Sequence, residues 1–172
     1  TRLETWYDRD FKKMYTRTMA YENGVVYYGT AGTVWRKNVA AGNTVEKFCE
    51  VSGSGEEVTA MSSDIAVYNG TLVISLEGAK KVCWFSTQSG DLLRETTLSA
   101  TPFGVEIDNQ GRTLVITAED NVLRFAAGST TPETFISSGL DGAFRLGINR
   151  TNGDLYIAEG GAIYNEGGPP LS

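Results

Sequence analysis

The chain has 172 residues, 41% hydrophobic and 21% charged, with 20 Gly, 4 Pro and no His, the composition of one globular domain that buries roughly 70% of its unfolded surface. Without His, Ser-His-Asp and Cys-His catalysis and His-ligated metals are excluded within the chain, and apolar runs as short as Leu72-Val73-Ile74 exclude a membrane-spanning helix. The net charge of -6 divides into +2 over residues 1–17 and -8 over residues 18–172, and so acidic a body repels phosphate backbones, which makes nucleic acid an unexpected partner.

Residues 1–17 mix Arg2, Arg9, Lys12, Lys13 and Arg17 with Glu4, Asp8 and Asp10. No apolar helical face accompanies these charges, so the segment reads as a solvated strand or linker rather than a lipid-binding patch. Tyr7 to Tyr15 is compatible with a helix and equally with an extended strand anchored by Phe11 and Tyr15. Thr1 is no initiator and no apolar signal-peptide core follows it, so a mature or cut chain is expected.

From residue 18 onward the chain repeats itself. Met19-Ala20-Tyr21 runs into Asn23-Gly24 and the strand starting at Val25; Ile65-Ala66-Val67 runs into Asn69-Gly70 and the strand starting at Leu72. Val105-Glu106-Ile107 and Leu146-Gly147-Ile148 do the same through turns at Gly111 and Gly153 into strands starting at Leu114 and Leu155. Val25, Leu72, Leu114 and Leu155 are spaced 47, 42 and 41 residues apart, a repeat of about 43. Asn-Gly between alternating segments marks a hairpin, because the turn needs positive φ. A third strand follows in each unit, at Thr33–Arg36, Lys81–Phe85, Asn121–Phe125 and Ala162–Tyr164. A fourth is expected at Val45–Cys49, Leu92–Thr96 and Glu133–Ile136.

Four antiparallel strands in about 43 residues make one blade of a β-propeller, so the expected fold is all-β with about four blades. Their approximate limits are 18–61, 62–101, 102–143 and an incomplete 144–172. The last unit supplies no fourth strand. Either Glu4 to Phe11 closes it, or the chain is part of a larger propeller.

The stretch Thr101-Pro102-Phe103-Gly104-Val105-Glu106-Ile107-Asp108-Asn109-Gln110-Gly111-Arg112-Thr113-Leu114-Val115-Ile116-Thr117 resembles the blade start of NHL-repeat and SMP-30/gluconolactonase/strictosidine-synthase-like propellers. Ile65–Ser75 and Leu146–Glu159 repeat it more loosely. The resemblance implies a divalent cation over the channel, Ca or Mg, held by side chains just ahead of the innermost strands. Those positions fall here on Phe103, Phe144 and Ser63, and an aromatic ring cannot ligate a hard cation. No cofactor is therefore expected, with Ca or Mg as the alternative. The strictosidine-synthase reading would need a catalytic Glu, for which Glu106 is the one weak candidate. Its plainer reading is an ion-pair partner of Arg124 or of another blade's Arg.

Polar residues at strand ends, Ser62-Ser63-Asp64, Asp108-Asn109, Glu119-Asp120 and Asn149, read as turn formers. The Gly-rich runs Val51 to Gly55 and Gly160-Gly161 lack a phosphate-binding signature and read as loops. Cys49 and Cys83 fall on neighbouring blades about 10 Å apart, so a disulfide, which needs Cα atoms within about 7 Å, requires a favourable offset. Asn69-Gly70-Thr71 and Asn149-Arg150-Thr151 match the glycosylation acceptor pattern and tilt the compartment, otherwise unreadable, toward an extracellular or secreted setting. Trp35, Trp84, Phe85, Phe125 and Tyr164 are read as occupying the same place in the third strand and wedging blade against blade.

The expected function is a non-catalytic interaction or structural module that binds a protein or peptide partner or self-assembles through blade edges. The alternative is an SMP-30-like hydrolase of a small ester or lactone. The binding ring is expected from Arg17, Ser63, Phe103 and Phe144, each just ahead of an innermost strand, where they either contact a partner or plug the channel.

Overall fold

The computed structural model describes residues 18–30, 33–39, 44–51 and 62–160, and every regular element among them is a β-strand. β1 (Met19–Glu22), β2 (Val25–Thr30), β3 (Thr33–Asn38) and β4 (Val45–Glu50) form the first antiparallel sheet, paired in chain order. β5 (Ser62–Tyr68), β6 (Thr71–Leu76), β7 (Lys81–Ser86) and β8 (Leu92–Thr97) form the second; β9 (Pro102–Ile107), β10 (Thr113–Thr117), β11 (Asn121–Phe125) and β12 (Pro132–Ile136) the third. β13 (Ala143–Ile148) pairs with β14 (Leu155–Glu159) as the start of a fourth. The strand expected at Ala162–Tyr164 and the closing segment Glu4 to Phe11 lie outside the described residues.

The Asn-Gly hairpins form for the reason their sequence suggests. Asn23 and Gly24 take φ of 49° and 83°, and Asn69 and Gly70 take 47° and 80°, both residues left-handed as a two-residue turn between right-twisted strands requires.

Because successive side chains on a strand point to opposite faces, each blade feeds two cores. On β6, Leu72 and Ile74 join Val34, Cys49 and Phe85 between the first and second blades. Val73, between them in sequence, joins Trp84, Val105, Val115 and Phe125 between the second and third. Leu114, Ile116 and Val122 meet Ala143, Leu146 and Ile157 between the third and fourth. Face-to-face sheets sharing apolar seams are the packing of propeller blades.

Two sequence expectations need correction. Strand pairing places Trp84 opposite Arg94 and Arg36 opposite Glu46, and likewise Arg124 opposite Glu133. The third-strand aromatics therefore do not share one place: Trp84 is equivalent to Arg36 and Arg124, Phe85 to Phe125, and Trp35 to Cys83. Trp84 and Phe85, adjacent in sequence, fill opposite seams. Between the second and third blades, Trp84 and Phe125 do form the expected wedge, edge to face with centroids 5.2 Å apart. Second, the innermost strands begin earlier than the alternation indicates, so Ser63, Phe103 and Phe144 are the second residues of β5, β9 and β13 rather than loop residues ahead of them. Ser62-Ser63-Asp64 is accordingly extended strand, not turn.

Candidate functional site at the mouth of the axis

The innermost strands β1, β5, β9 and β13 lie side by side in that order, and their first residues lie at one end of the row. At this end the Phe103 and Phe144 rings meet with centroids 5.6 Å apart and planes inclined at 48°. The Arg145 guanidinium stands 4.3 Å over the Phe144 ring. Phe144 is 46% exposed, whereas Phe103 is half-buried against the seam of the third and fourth blades. Ser63 takes the equivalent backbone position on β5; Arg17 lies outside the described residues.

Gly104 allows this juxtaposition. A Cβ on Gly104 would lie 2.8 Å from the Phe144 carbonyl oxygen and 3.0 Å from the Arg145 Cα, so only a residue without a side chain lets β9 and β13 approach so closely.

Under the mouth sits Asp64, a buried carboxylate that composition alone does not reveal. Its Oδ1 accepts hydrogen bonds from the Thr18 hydroxyl at 2.6 Å and from the Ile65 amide at 3.0 Å, and its Oδ2 accepts from the Val105 amide at 3.1 Å. The Ser75 hydroxyl donates to the Phe103 carbonyl at 2.6 Å. One carboxylate thus ties the first, second and third blades together while satisfying donors that the seam would otherwise bury unpaired. The signal available in the sequence is positional: Thr18, Asp64, Gly104 and Arg145 are equivalent residues of the repeat.

Glu106 occupies the position held by Ala20, Ala66 and Gly147 in the other blades. Its partner is Arg150, not Arg124: Arg150 donates to Glu106 Oε1 at 2.7 Å and also to the Ile107 carbonyl, and its guanidinium lies 4.5 Å over the Tyr68 ring. Arg124 instead binds Glu133 at 2.6 Å. Burial pushes the Glu106 carboxyl above its ordinary value, while the Ile107 amide and Arg150 pull the other way. The result is a largely buried carboxylate paired with Arg150.

Among the described residues no group of three or more Asp, Glu, Cys or His side chains is arranged to hold a metal ion. Cys49 and Cys83 are both buried free thiols, and burial pushes each up to about 12, which leaves them protonated and poorly nucleophilic. Of the turn residues, Asp108 accepts from the Gln110 and Arg112 amides at 2.8 and 2.9 Å, and Asn149 accepts from the Thr151 amide at 2.9 Å. Asn69 is exposed at its hairpin turn.

No family model matches the chain, and a comparison with curated proteins returns no match. Solved structures do resemble it. BamB from Moraxella catarrhalis is 13% identical with a TM-score of 0.63, over 82% of this chain and 39% of that one. A catalytically inactive virginiamycin B lyase from Staphylococcus aureus, solved with quinupristin, is 12% identical with a TM-score of 0.68, over 86% of this chain and 50% of that one. A nidogen/laminin complex gives 15% identity and a TM-score of 0.66, over 83% of this chain and 56% of its own. The chain therefore spans about 39% to 56% of the length of these structures. They are β-propeller proteins, and the chain described here has the β-propeller fold, built from four-stranded antiparallel blades.

Proposed function

We propose that the chain is a non-catalytic propeller module that binds a peptide segment of a protein partner at the mouth formed by Phe103, Phe144 and Arg145, with Ser63 and Arg17 as further members of the ring. The observation that carries this reading is the exposed Phe144 ring, in tilted contact with the Phe103 ring and covered by the Arg145 guanidinium. Aromatic and Arg anchors of this kind dominate the energetics of protein contacts. Membership in the NHL/SMP-30-like group belongs to the same proposal, supported by the blade-start pattern at Thr101–Thr117. Structural neighbours such as BamB and the nidogen/laminin complex are in keeping with an interaction role.

Peptide selection from a display library, with the Phe103→Ala/Phe144→Ala variant as counter-selection, tests the proposal. Enrichment lost in the variant supports it. Metal analysis of the purified protein with a lactone and arylester panel tests the alternative hydrolase. Stoichiometric Ca or Mg together with metal-dependent turnover would overturn the non-catalytic reading.

A further inference from the structure

At the opposite end of the innermost strands, the seam between the second and third blades opens into a cleft of about 340 Å³. Arg94, Asn69, Asn109, Gln110, Thr71 and Thr113 supply its polar walls. This is within the range of small-molecule sites.

Each of the first three blades places an Arg over an aromatic ring on its two outer strands. Arg36 lies 4.9 Å over Phe48, Arg94 lies 4.6 Å over Trp84 and Arg124 lies 4.5 Å over Phe135. In the first and third blades the same guanidinium also binds a carboxylate across the strand pair, Arg36 with Glu46 and Arg124 with Glu133, each at 2.6 Å. In the second blade the pair is reversed: Trp84 stands at the Arg position and Arg94 at the Glu position. The residue across the strand pair from Arg94 is therefore Trp84 and not an acid. Among the described residues, the Arg94 Nε is the buried side-chain nitrogen left without a hydrogen-bond acceptor. A guanidinium held in that state favours any arrangement that brings it an anion.

The seam is also shaped for an occupant. At the corresponding turn of the second blade, a Cβ on Gly90 would lie 2.7 Å from the Phe48 carbonyl oxygen, whereas one on Gly128 of the third blade would meet nothing within 4 Å among the described residues. Phe48 closes the first seam. Phe48 is the extra residue of a bulge in β4, between the pairs Val34–Cys49 and Trp35–Lys47, whereas β8 pairs without a bulge from Arg94 to Thr97 and has no residue in that place to close the second.

We propose that this cleft binds a small carboxylate ligand, its carboxylate on the Arg94 guanidinium and its polar remainder on the amides and hydroxyls of the walls. A carboxylate is favoured over other anions because it is the group that the fold itself sets on the equivalent Arg–aromatic pairs of the first and third blades.

The test is titration of the full chain with acetate, malonate and L-lactate at constant ionic strength, followed by 15N NMR of the Arg Nε–H and Trp Nε1–H signals. Inorganic phosphate, sulfate and chloride serve as comparison anions. Trp84 Nε1 donates to Thr113 Oγ1 at 2.8 Å, and Thr113 lines the cleft, so the indole reports on occupancy. We expect saturable shifts at Arg94 and Trp84 for at least one carboxylate, weakened at least tenfold in Arg94→Gln and retained in Arg36→Gln. Ala127→Glu, which places a carboxylate at the exposed rim of the cleft, should abolish the shifts while leaving melting unchanged. It keeps the test decisive even if Arg94→Gln fails to fold. Equal shifts with chloride, preference for phosphate or sulfate, or binding undiminished in Ala127→Glu would overturn the proposal.

Discussion

Arg150, in the turn after β13, reaches Glu106 on β9 at 2.7 Å and covers the Tyr68 ring of β5 at 4.5 Å. One side chain from the fourth blade thereby engages the third and the second. Glu106 is 18% exposed at its side chain and Arg150 37%. Arg150→Ala should therefore cost about 2 kcal/mol, less than the roughly 3–5 kcal/mol of a fully buried pair. Urea unfolding checks this; an unchanged midpoint would show that the contact is not maintained in solution.

The same pair has a pH signature. Burial raises the Glu106 pKa in the fold, so its contribution to stability is fully present below the unfolded value and declines as pH rises through the folded one. Glu106→Gln stays neutral, so its melting temperature relative to the parent chain should increase between pH 4 and pH 7. A difference that shrinks over that range would mean that Arg150, not burial, governs this carboxyl.

Asp64 joins three blades through Thr18, Ile65 and Val105. Asp64→Ala leaves the Val105 amide and the Thr18 hydroxyl without an acceptor and should cost about 2–4 kcal/mol. Asp64→Asn, which keeps one acceptor oxygen, should cost less. Equal losses in denaturant unfolding would place the effect in charge rather than in hydrogen bonding.

Gly104 and Gly147 form an internal control. Both lie in innermost strands, but a Cβ on Gly104 meets the Phe144 carbonyl at 2.8 Å, whereas one on Gly147 meets nothing within 4 Å among the described residues. Gly104→Ala should destabilise by about 1–3 kcal/mol. Gly147→Ala should be neutral or stabilise by up to about 1 kcal/mol through reduced backbone entropy of the unfolded chain. Reversed signs in thermal melts would contradict the packing at β9–β13.

The blade architecture was readable because its signals are local: Asn-Gly turns that demand positive φ and apolar alternation recurring about every 43 residues. What escaped was set by register between strands. Trp84 and Phe85 could not be assigned to opposite seams until β7 was paired with β8, and Asp64 read as a turn former because its acceptor role depends on Val105, 41 residues away. Of the candidate site, repeat position alone puts Phe103 and Phe144 at one end of neighbouring innermost strands, but Arg145, whose guanidinium covers the Phe144 ring, is visible only once β13 starts at Ala143. The repeated Arg…Glu-x-Phe of the first and third blades, Arg36…Glu46-x-Phe48 and Arg124…Glu133-x-Phe135, was present in the sequence and is the signal that would have singled out Arg94.

The central claim is that the Phe103–Phe144–Arg145 mouth is a peptide-contact surface rather than a channel plug. Calorimetric titration of a library-selected peptide into the parent chain and into Phe103→Ala/Phe144→Ala, with melting curves of both, tests it most directly. The account predicts at least tenfold weaker binding in the variant. It also predicts a stability loss well below the roughly 3–5 kcal/mol per residue expected for buried Phe, because Phe144 is 46% exposed. Unchanged affinity, or a loss of the full buried magnitude, would contradict it.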